Sequence, residues 1–388
     1  MTDVHLINPI VSRWCREAQE HPDAFWARAA SELHWFRTWD RVFDWTFPTF
    51  RWFLGGETNL AYNCLDHHVQ RGWGGHTALI YVNERGDQRL YTYAQLTRAV
   101  EQVAAALRSM GIGKGDRLTI YMPTCPEAII LMLATVRIGA IHSVVFAGFG
   151  AGALGSRIEA SGSRLVFTSD ITYRRGRDVP LKGIVDEAME IGGKGVEHVI
   201  VLPRTADGAP MQAGRDLTWN EFLARSQGHS GAHIAMEANE PAYILATSGT
   251  TATPKLAVHT HGAYQVYIHS MGRWCFGLKP QDIWWSTSDI GWVVGHSYIV
   301  YAPLLAGCTT IAYEGALDHP NPDTFWKIVE EFGVNSIFTS PTAVRLLMRY
   351  GEEPARRYTQ ASLESIFCAG EVLNAPAWEW LQQRVLDD

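Results

Sequence analysis

The stretch from Pro241 to Gly262, Pro-Ala-Tyr-Ile-Leu-Ala-Thr-Ser-Gly-Thr-Thr-Ala-Thr-Pro-Lys-Leu-Ala-Val-His-Thr-His-Gly, limits what this chain can fold into more than any other. Ala242 to Ala246 is a short apolar run bounded by turn formers, the pattern of a strand buried in a parallel sheet. Thr247, Ser248, Gly249, Thr250 and Thr251 follow, all small, and four of these five carry hydroxyls. Pro254 and Lys255 close the loop, and from Gly262 apolar residues recur at helical spacing. A strand, a hydroxyl-rich glycine loop, a lysine and a helix make a phosphate cradle. Backbone N–H groups and hydroxyls supply donors in a ring, Gly249 lets the main chain come close, and Lys255 adds a point charge. The Gly-Lys-Ser/Thr of the common nucleoside-triphosphate loop is missing. An ordinary strand–helix turn has the same composition, so the information lies in the ordered run Thr-Ser-Gly-Thr-Thr-x-x-Pro-Lys.

The rest of the chain supports an open sheet. Strand patterns at Thr77–Asn83, Arg89–Thr92, Arg117–Met122, His142–Ala147, Leu165–Ser169, His198–Pro203, Cys308–Tyr313, Ser336–Thr339 and Leu363–Cys368 alternate with helical patterns such as Tyr93–Met110, Glu127–Gly139 and Phe325–Phe332. The alternation predicts an α/β fold with mostly parallel sheets and helices on both faces. Residues 61–240 and 241–388 read as two βα subdomains meeting near residue 240. Residues 1–60 read as helices with an irregular tail, an N-terminal lid whose tryptophans are packing anchors.

Two further segments attract attention. Asp170 to Asp178 holds Arg174, Arg175, Gly176 and Arg177 after a strand end; such a cluster can grip a phosphate through forked bonds, or it can be a solvated basic loop. Asp282 to Ser297 reads as a strand, a polar turn and an apolar wall at Trp292, Val293 and Val294, where open sheets bind ligands, although each valine could equally be core. Arg204 to Gly214 is polar and turn-rich and reads as an exposed loop or hairpin tip.

Composition removes several classes. The net charge of −7 and the scattered basic residues argue against a nucleic-acid or anionic-membrane surface. Six cysteines without a Cys-x-x-Cys pair argue against a zinc site or a disulfide framework and fit a reducing compartment. No basic-then-apolar leader and no membrane-length apolar run is visible, so a cytoplasmic location is expected.

The ordered loop resembles the phosphate loop of the adenylate-forming superfamily, which includes acyl-CoA synthetases, luciferases and peptide-synthetase adenylation domains. Ala252 stands where that family usually has Gly, and Leu256 where acetyl-CoA synthetases have Gly. If position 252 takes a positive φ, alanine there is strained by roughly 1 kcal/mol. The resemblance extends through Trp14–Ala18, Asn59–Asp66, Ser143–Phe149, Asp289–Ser297 and Ala375–Trp380. Over nearly its whole length the chain is similar to AMP-forming acetyl-CoA and related short-chain acyl-CoA synthetases.

That resemblance implies a reaction in which ATP and a carboxylate give acyl-AMP and pyrophosphate, after which the acyl group passes to coenzyme A. It implies ATP, Mg²⁺ and coenzyme A as cofactors, small-molecule partners and no nucleic acid or membrane; homo-oligomerisation is left open. Thr247, Ser248, Gly249, Thr250, Thr251 and Lys255 would bind the β- and γ-phosphates. Gly370, Glu371 and Val372 would lie beside the adenine, with Val372 in place of the family's proline. Trp292, Val293, Val294 and Ala369 would form the acyl pocket. Phe146, Gly148, Val294 and the Arg174–Gly176–Arg177 segment with Arg175 would contact coenzyme A. Asp318 falls where the family has an Asn that contacts it. Acetate-specific members carry Thr at the position of Val294 and Val at that of Ala369. The first swap removes a hydrogen bond worth about 1 kcal/mol, and the second opens room at roughly 1–3 kcal/mol of discrimination per methylene. A propionate- or hydroxypropionate-sized acid is therefore expected. The family continues past this sequence into a Thr-Glu-Thr-Gly loop, a ribose-binding Asp, a hinge and a C-terminal domain with the catalytic lysine. No catalytic residue and no metal ligand is thus assigned within the chain, which is expected to bind nucleotide weakly and not to complete adenylation alone. A catalytically incomplete nucleotide- or CoA-binding fragment with a regulatory or scaffold role is the alternative.

Overall fold

Two large, mainly parallel sheets carry the fold in a computed structural model that describes residues 8–247 and 255–386. In chain order the strands used below are β1 (Arg41–Thr46), β2 (Thr49–Leu54), β3 (Thr77–Asn83), β4 (Gln88–Thr92), β5 (Arg117–Tyr121), β6 (Ile141–Val144), β7 (Leu165–Ser169), β8 (Ile171–Arg174), β9 (Arg177–Pro180), β10 (His198–Leu202), β11 (Asp216–Thr218), β12 (Pro241–Thr247), β13 (Lys255–Thr260), β14 (Ile283–Ser286), β15 (Thr309–Glu314), β16 (Ser336–Thr339) and β17 (Ser365–Cys368). The seven-stranded sheet runs β11-β10-β7-β5-β6-β12-β13 and the six-stranded sheet β17-β16-β14-β15-β3-β4. Only the edge strands β13 and β4 are antiparallel to their neighbours in these sheets.

The sheets do not divide at residue 240. β3 and β4 come from the first half of the chain and join the six-stranded sheet, while β12 and β13 complete the seven-stranded one. The largest buried cluster is common to both sheets. Leu79, Tyr81 and Ala312 of one sheet share a cluster with Leu118, Ile120, Val144 and Tyr243 of the other. The helices Tyr93–Ser109, Pro126–Arg137 and His261–Trp274 belong to the same cluster. The first is fixed by a capping box in which Thr92 and Gln95 exchange side-chain and backbone bonds. The second has almost no polar residue and is buried along nearly its whole length. Its last residue, Arg137, is neutralised by Asp66 and Glu101. Asn59 caps the helix Leu60–Cys64 and donates to the carbonyls of Val136, Arg137 and Ile234.

Local departures from the expected elements have identifiable causes. The N-terminal segment begins with the helices Pro9–Glu20 and Pro22–Ala30, but the aromatic run from Trp35 to Phe47 is not helical. Its second half is the hairpin β1–β2, turned at Phe47-Pro48, where proline cannot continue a helix. The helix Pro22–Ala30 anchors on the body through Phe25, 5.4 Å from the Trp274 ring. Lys255 does not lead directly into a helix. It starts β13, which pairs back on β12 before the helix His261–Trp274, so β12 and β13 form an antiparallel pair at a sheet edge. The basic segment is also a hairpin, β8–β9. The helix Ala151–Ser161 is masked in the sequence by glycines of low helix propensity and exists through tertiary packing. Among the described residues no helix is long and apolar enough to cross a membrane.

Candidate functional site

In an open parallel sheet the loops leaving the carboxyl ends of the strands share one edge, and ligands bind there. Here both large sheets deliver that edge to one cavity of about 470 Å³. Thr124 arrives after β5, Phe146 and Gly148 after β6, and Tyr173, Arg174 and Arg175 from the hairpin that follows β7. From the other sheet come Thr287, Ser288, Asp289 and Trp292 after β14, Glu314 at the end of β15, and Thr342 after β16.

One wall is aromatic. The Trp292 ring lies 5.5 Å from Phe146 and 5.9 Å from Phe149 between centroids. That closeness requires glycines. A Cβ at Gly291 would stand 2.5 Å from the Phe146 Cα, and one at Gly148 would stand 2.3 Å from the Phe146 ring. Behind Trp292, His296 bonds the Trp292 carbonyl through Nδ1 at 3.1 Å. Burial pushes the pKa of His296 down to about 3, so its ring is neutral at ordinary pH. Asp289 accepts from the Gly291 N–H at 2.7 Å and from Thr124 Oγ1 at 3.3 Å. Burial nevertheless raises its pKa above the usual carboxylate value.

Glu314, on the cavity lining, carries an ionic bridge between the sheets. Arg204, directly beyond the loop end of β10, donates from both terminal nitrogens to Glu314 at 2.6 and 2.8 Å. Glu314 also accepts from Tyr81 at 2.6 Å and Thr172 at 3.3 Å. Arg204 is thus not part of an exposed loop; its side chain is 12% exposed and that of Glu314 5%. Neither residue announced itself in the sequence, because each becomes meaningful only when the two sheets meet.

The cavity brings together part of the expected site. Trp292, Phe146, Gly148, Arg174 and Arg175 line it. Val293 is exposed, and Val294 packs on the cluster of Leu278, Trp284, Cys308 and Phe338. Ala369 and Gly370 are exposed beyond β17, and Val372 is 83% exposed. Glu371 reaches the rim indirectly by accepting from Thr342 and Arg345. The Thr342 hydroxyl, then the Arg345 guanidinium, hold its carboxyl below the usual range. Asp318 is not among the residues lining the cavity. It is buried, and its carboxylate is taken by Arg175 and Tyr350, which leaves the expected ligand contact without a free acceptor facing the cavity. Thr247 and Lys255 face each other as the last pair of the β12–β13 ladder. Because β12 runs parallel to β6, Thr247 leaves the sheet at the edge from which Phe146 emerges. Ser248, Gly249, Thr250, Thr251 and Ala252 lie outside the described residues. Among the described residues no group of three His, Cys, Asp or Glu side chains could hold a metal ion.

Comparison with known proteins adds an independent finding. Residues 65–387 match a family described as AMP-binding enzyme, and residues 11–64 match the acetyl-coenzyme A synthetase N-terminus. The chain is 46% identical over 368 residues to an acetyl-coenzyme A synthetase of Deinococcus radiodurans, covering 94% of this chain and 56% of that protein. It is 46% identical over 379 residues to one of Pyrobaculum aerophilum, with 94% and 56% covered. One of Rhodopirellula baltica is 44% identical over 375 residues, with 95% and 56% covered. The chain therefore spans a little over half the length of these relatives.

Proposed function

We propose, from the premise that this chain belongs to the AMP-binding enzyme family, that it supplies the substrate-binding body of an AMP-forming short-chain acyl-CoA synthetase. The observation that carries the reading is the single cavity at the carboxyl edge of both sheets, with an aromatic wall at Trp292 and Phe146 and a cationic side at Arg174. A carboxylate is a poor electrophile, so it has to be held in line with the α-phosphate while fixed donors meet the charge that builds on the phosphates. In this reading Thr247, Ser248, Gly249, Thr250, Thr251 and Lys255 hold the β- and γ-phosphates between β12 and β13. Gly370, Glu371 and Val372 lie beside the adenine. Trp292 walls the acyl chain, and Val293, Val294 and Ala369 are assigned to the same pocket by the resemblance. Phe146, Gly148 and the β8–β9 hairpin receive coenzyme A. Mg²⁺ would neutralise phosphate charge when bound, and phosphate oxygens would be its main ligands.

The acid is read as propionate- or hydroxypropionate-sized because Val294 and Ala369 stand where acetate-specific relatives carry Thr and Val, although neither side chain lines the cavity itself. The protein is read as cytoplasmic, with small-molecule partners. The test is carboxylate-dependent exchange of pyrophosphate into ATP with acetate, propionate, 3-hydroxypropionate and butyrate. It is run on this chain alone and on the chain mixed with the remaining C-terminal region of a relative. Three-carbon acids should give the fastest exchange; a strong acetate preference ends the size argument. Nucleotide and CoA binding without exchange in either mixture would favour the second reading, a binding fragment with a scaffold or regulatory role.

A further inference from the structure

The arginines of the β8–β9 hairpin are not equivalent. Arg174 and Arg177 are direct cross-strand partners, and like charges placed opposite each other are unfavourable without an anion between them. Neither forms an ion pair with a described carboxylate. Arg175 sits in the turn between them at φ +53°, a backbone conformation uncommon for a residue with a side chain. A strained residue persists only when its surroundings over-determine it, and here they do so from the other sheet. The N–H groups of Arg175 and Gly176 donate to Glu84 at 3.0 and 2.7 Å. The Arg175 guanidinium donates to both oxygens of Asp318 at 2.8 and 3.0 Å, and the Tyr350 hydroxyl donates to Asp318 at 2.8 Å. Glu84 follows β3 and Asp318 follows β15, whereas the hairpin grows from β7. The Asp318 side chain is only 1% exposed, so it holds Arg175 rather than a ligand.

We propose that Asp318, Tyr350 and Glu84 are positioning residues that clamp this turn and preset Arg174 and Arg177 as a fork for one phosphate monoester. Resting on the reading, implied by the family resemblance, that Arg174 to Arg177 hold the 3′-phosphate of coenzyme A, this makes Asp318 a determinant of selectivity for that phosphate without touching it. The charge balance fits. Asp318 neutralises Arg175, so two guanidinium groups remain for a single dianion. Three free arginines at the same mouth would also attract the triphosphate of ATP.

The test is the ratio of dissociation constants for dephospho-CoA and CoA, measured by calorimetry on the 388-residue chain. The wild-type chain should prefer CoA by at least about tenfold, and Asp318→Asn should reduce that preference to within about threefold while leaving dephospho-CoA binding unchanged. Tyr350→Phe, at a 40% exposed residue where misfolding is not at issue, should give an intermediate ratio. Arg174→Gln should abolish the preference. Retention of the wild-type ratio in both Asp318→Asn and Tyr350→Phe, or an equal loss for both ligands, overturns the clamp while the coenzyme A site stands. A wild-type chain that binds both forms equally overturns the hairpin as a phosphate site, and the clamp with it.

Discussion

Glu314→Gln gives the most direct reading of how the cavity is held. Both carboxylate oxygens are committed, to Arg204 at 2.6 and 2.8 Å, Tyr81 at 2.6 Å and Thr172 at 3.3 Å. Glutamine keeps the shape but offers one acceptor oxygen. Whichever way the amide is turned, its NH₂ faces a donor, and Arg204 is left as a buried cation without its counter-charge. Removing one partner of a buried pair costs about 3–5 kcal/mol. Arg204→Met should cost a similar amount, because it strands the carboxylate with only two neutral donors. In the double variant neither charge is stranded, so its cost should fall short of the sum of the single costs by at least about 2 kcal/mol. Urea denaturation followed by tryptophan fluorescence measures all four proteins, with the slope held constant as the check that the transition is unchanged. Costs that add to within about 0.5 kcal/mol would show that Arg204 and Glu314 do not act as a pair. The account of the two sheets bridged through the cavity-lining Glu314 would then be wrong.

Other expectations follow from single contacts. Gly291→Ala places a Cβ 2.5 Å from the Phe146 Cα; it should destabilise by about 1–3 kcal/mol, and an unchanged urea midpoint would contradict the tight Trp292–Phe146 wall. Gly183→Ala, in the helix Leu181–Gly192 with open space around it, should instead stabilise by about 0.5–1 kcal/mol, read as a higher midpoint. Asn59→Ala removes a cap and three carbonyl contacts and should cost about 2–4 kcal/mol by the same measurement. Burial pushes the pKa of His68 and His269 down to about 4 and of His261 and His296 down to about 3. The unfolded chain, with histidines near 6.5, binds more protons than the fold between these values. Stability is therefore full above about pH 6.5 and falls as the pH drops towards 4, by about 1.4 kcal/mol per unit for each such histidine. A midpoint that stays flat from pH 7 to 5 would refute this.

Much of the site's chemistry was legible along the chain, because local patterns encode local structure. The strand β12, the helix Tyr93–Ser109 and the turn after β14 each follow from hydrophobic period and turn residues within a few positions. Arg174 and Trp292 stood out by residue type beside strand ends and Phe146 through the family resemblance, and the cavity contains all three. The antiparallel course of Lys255–Thr260 was less legible, since pairing with β12 depends on an edge that only the assembled sheet provides.

The amino-acid order by itself determined an α/β chain of mostly parallel strands whose functional loops leave the carboxyl ends, because burial on both sheet faces writes itself into short apolar runs. Only the tertiary structure decided that β3 and β4 cross into the later sheet, that Arg204 meets Glu314 at the cavity lining, and that Asp318 faces Arg175 rather than open space. These partners lie 110 and 143 residues apart. A charge says nothing about its counter-charge until packing removes water from between them.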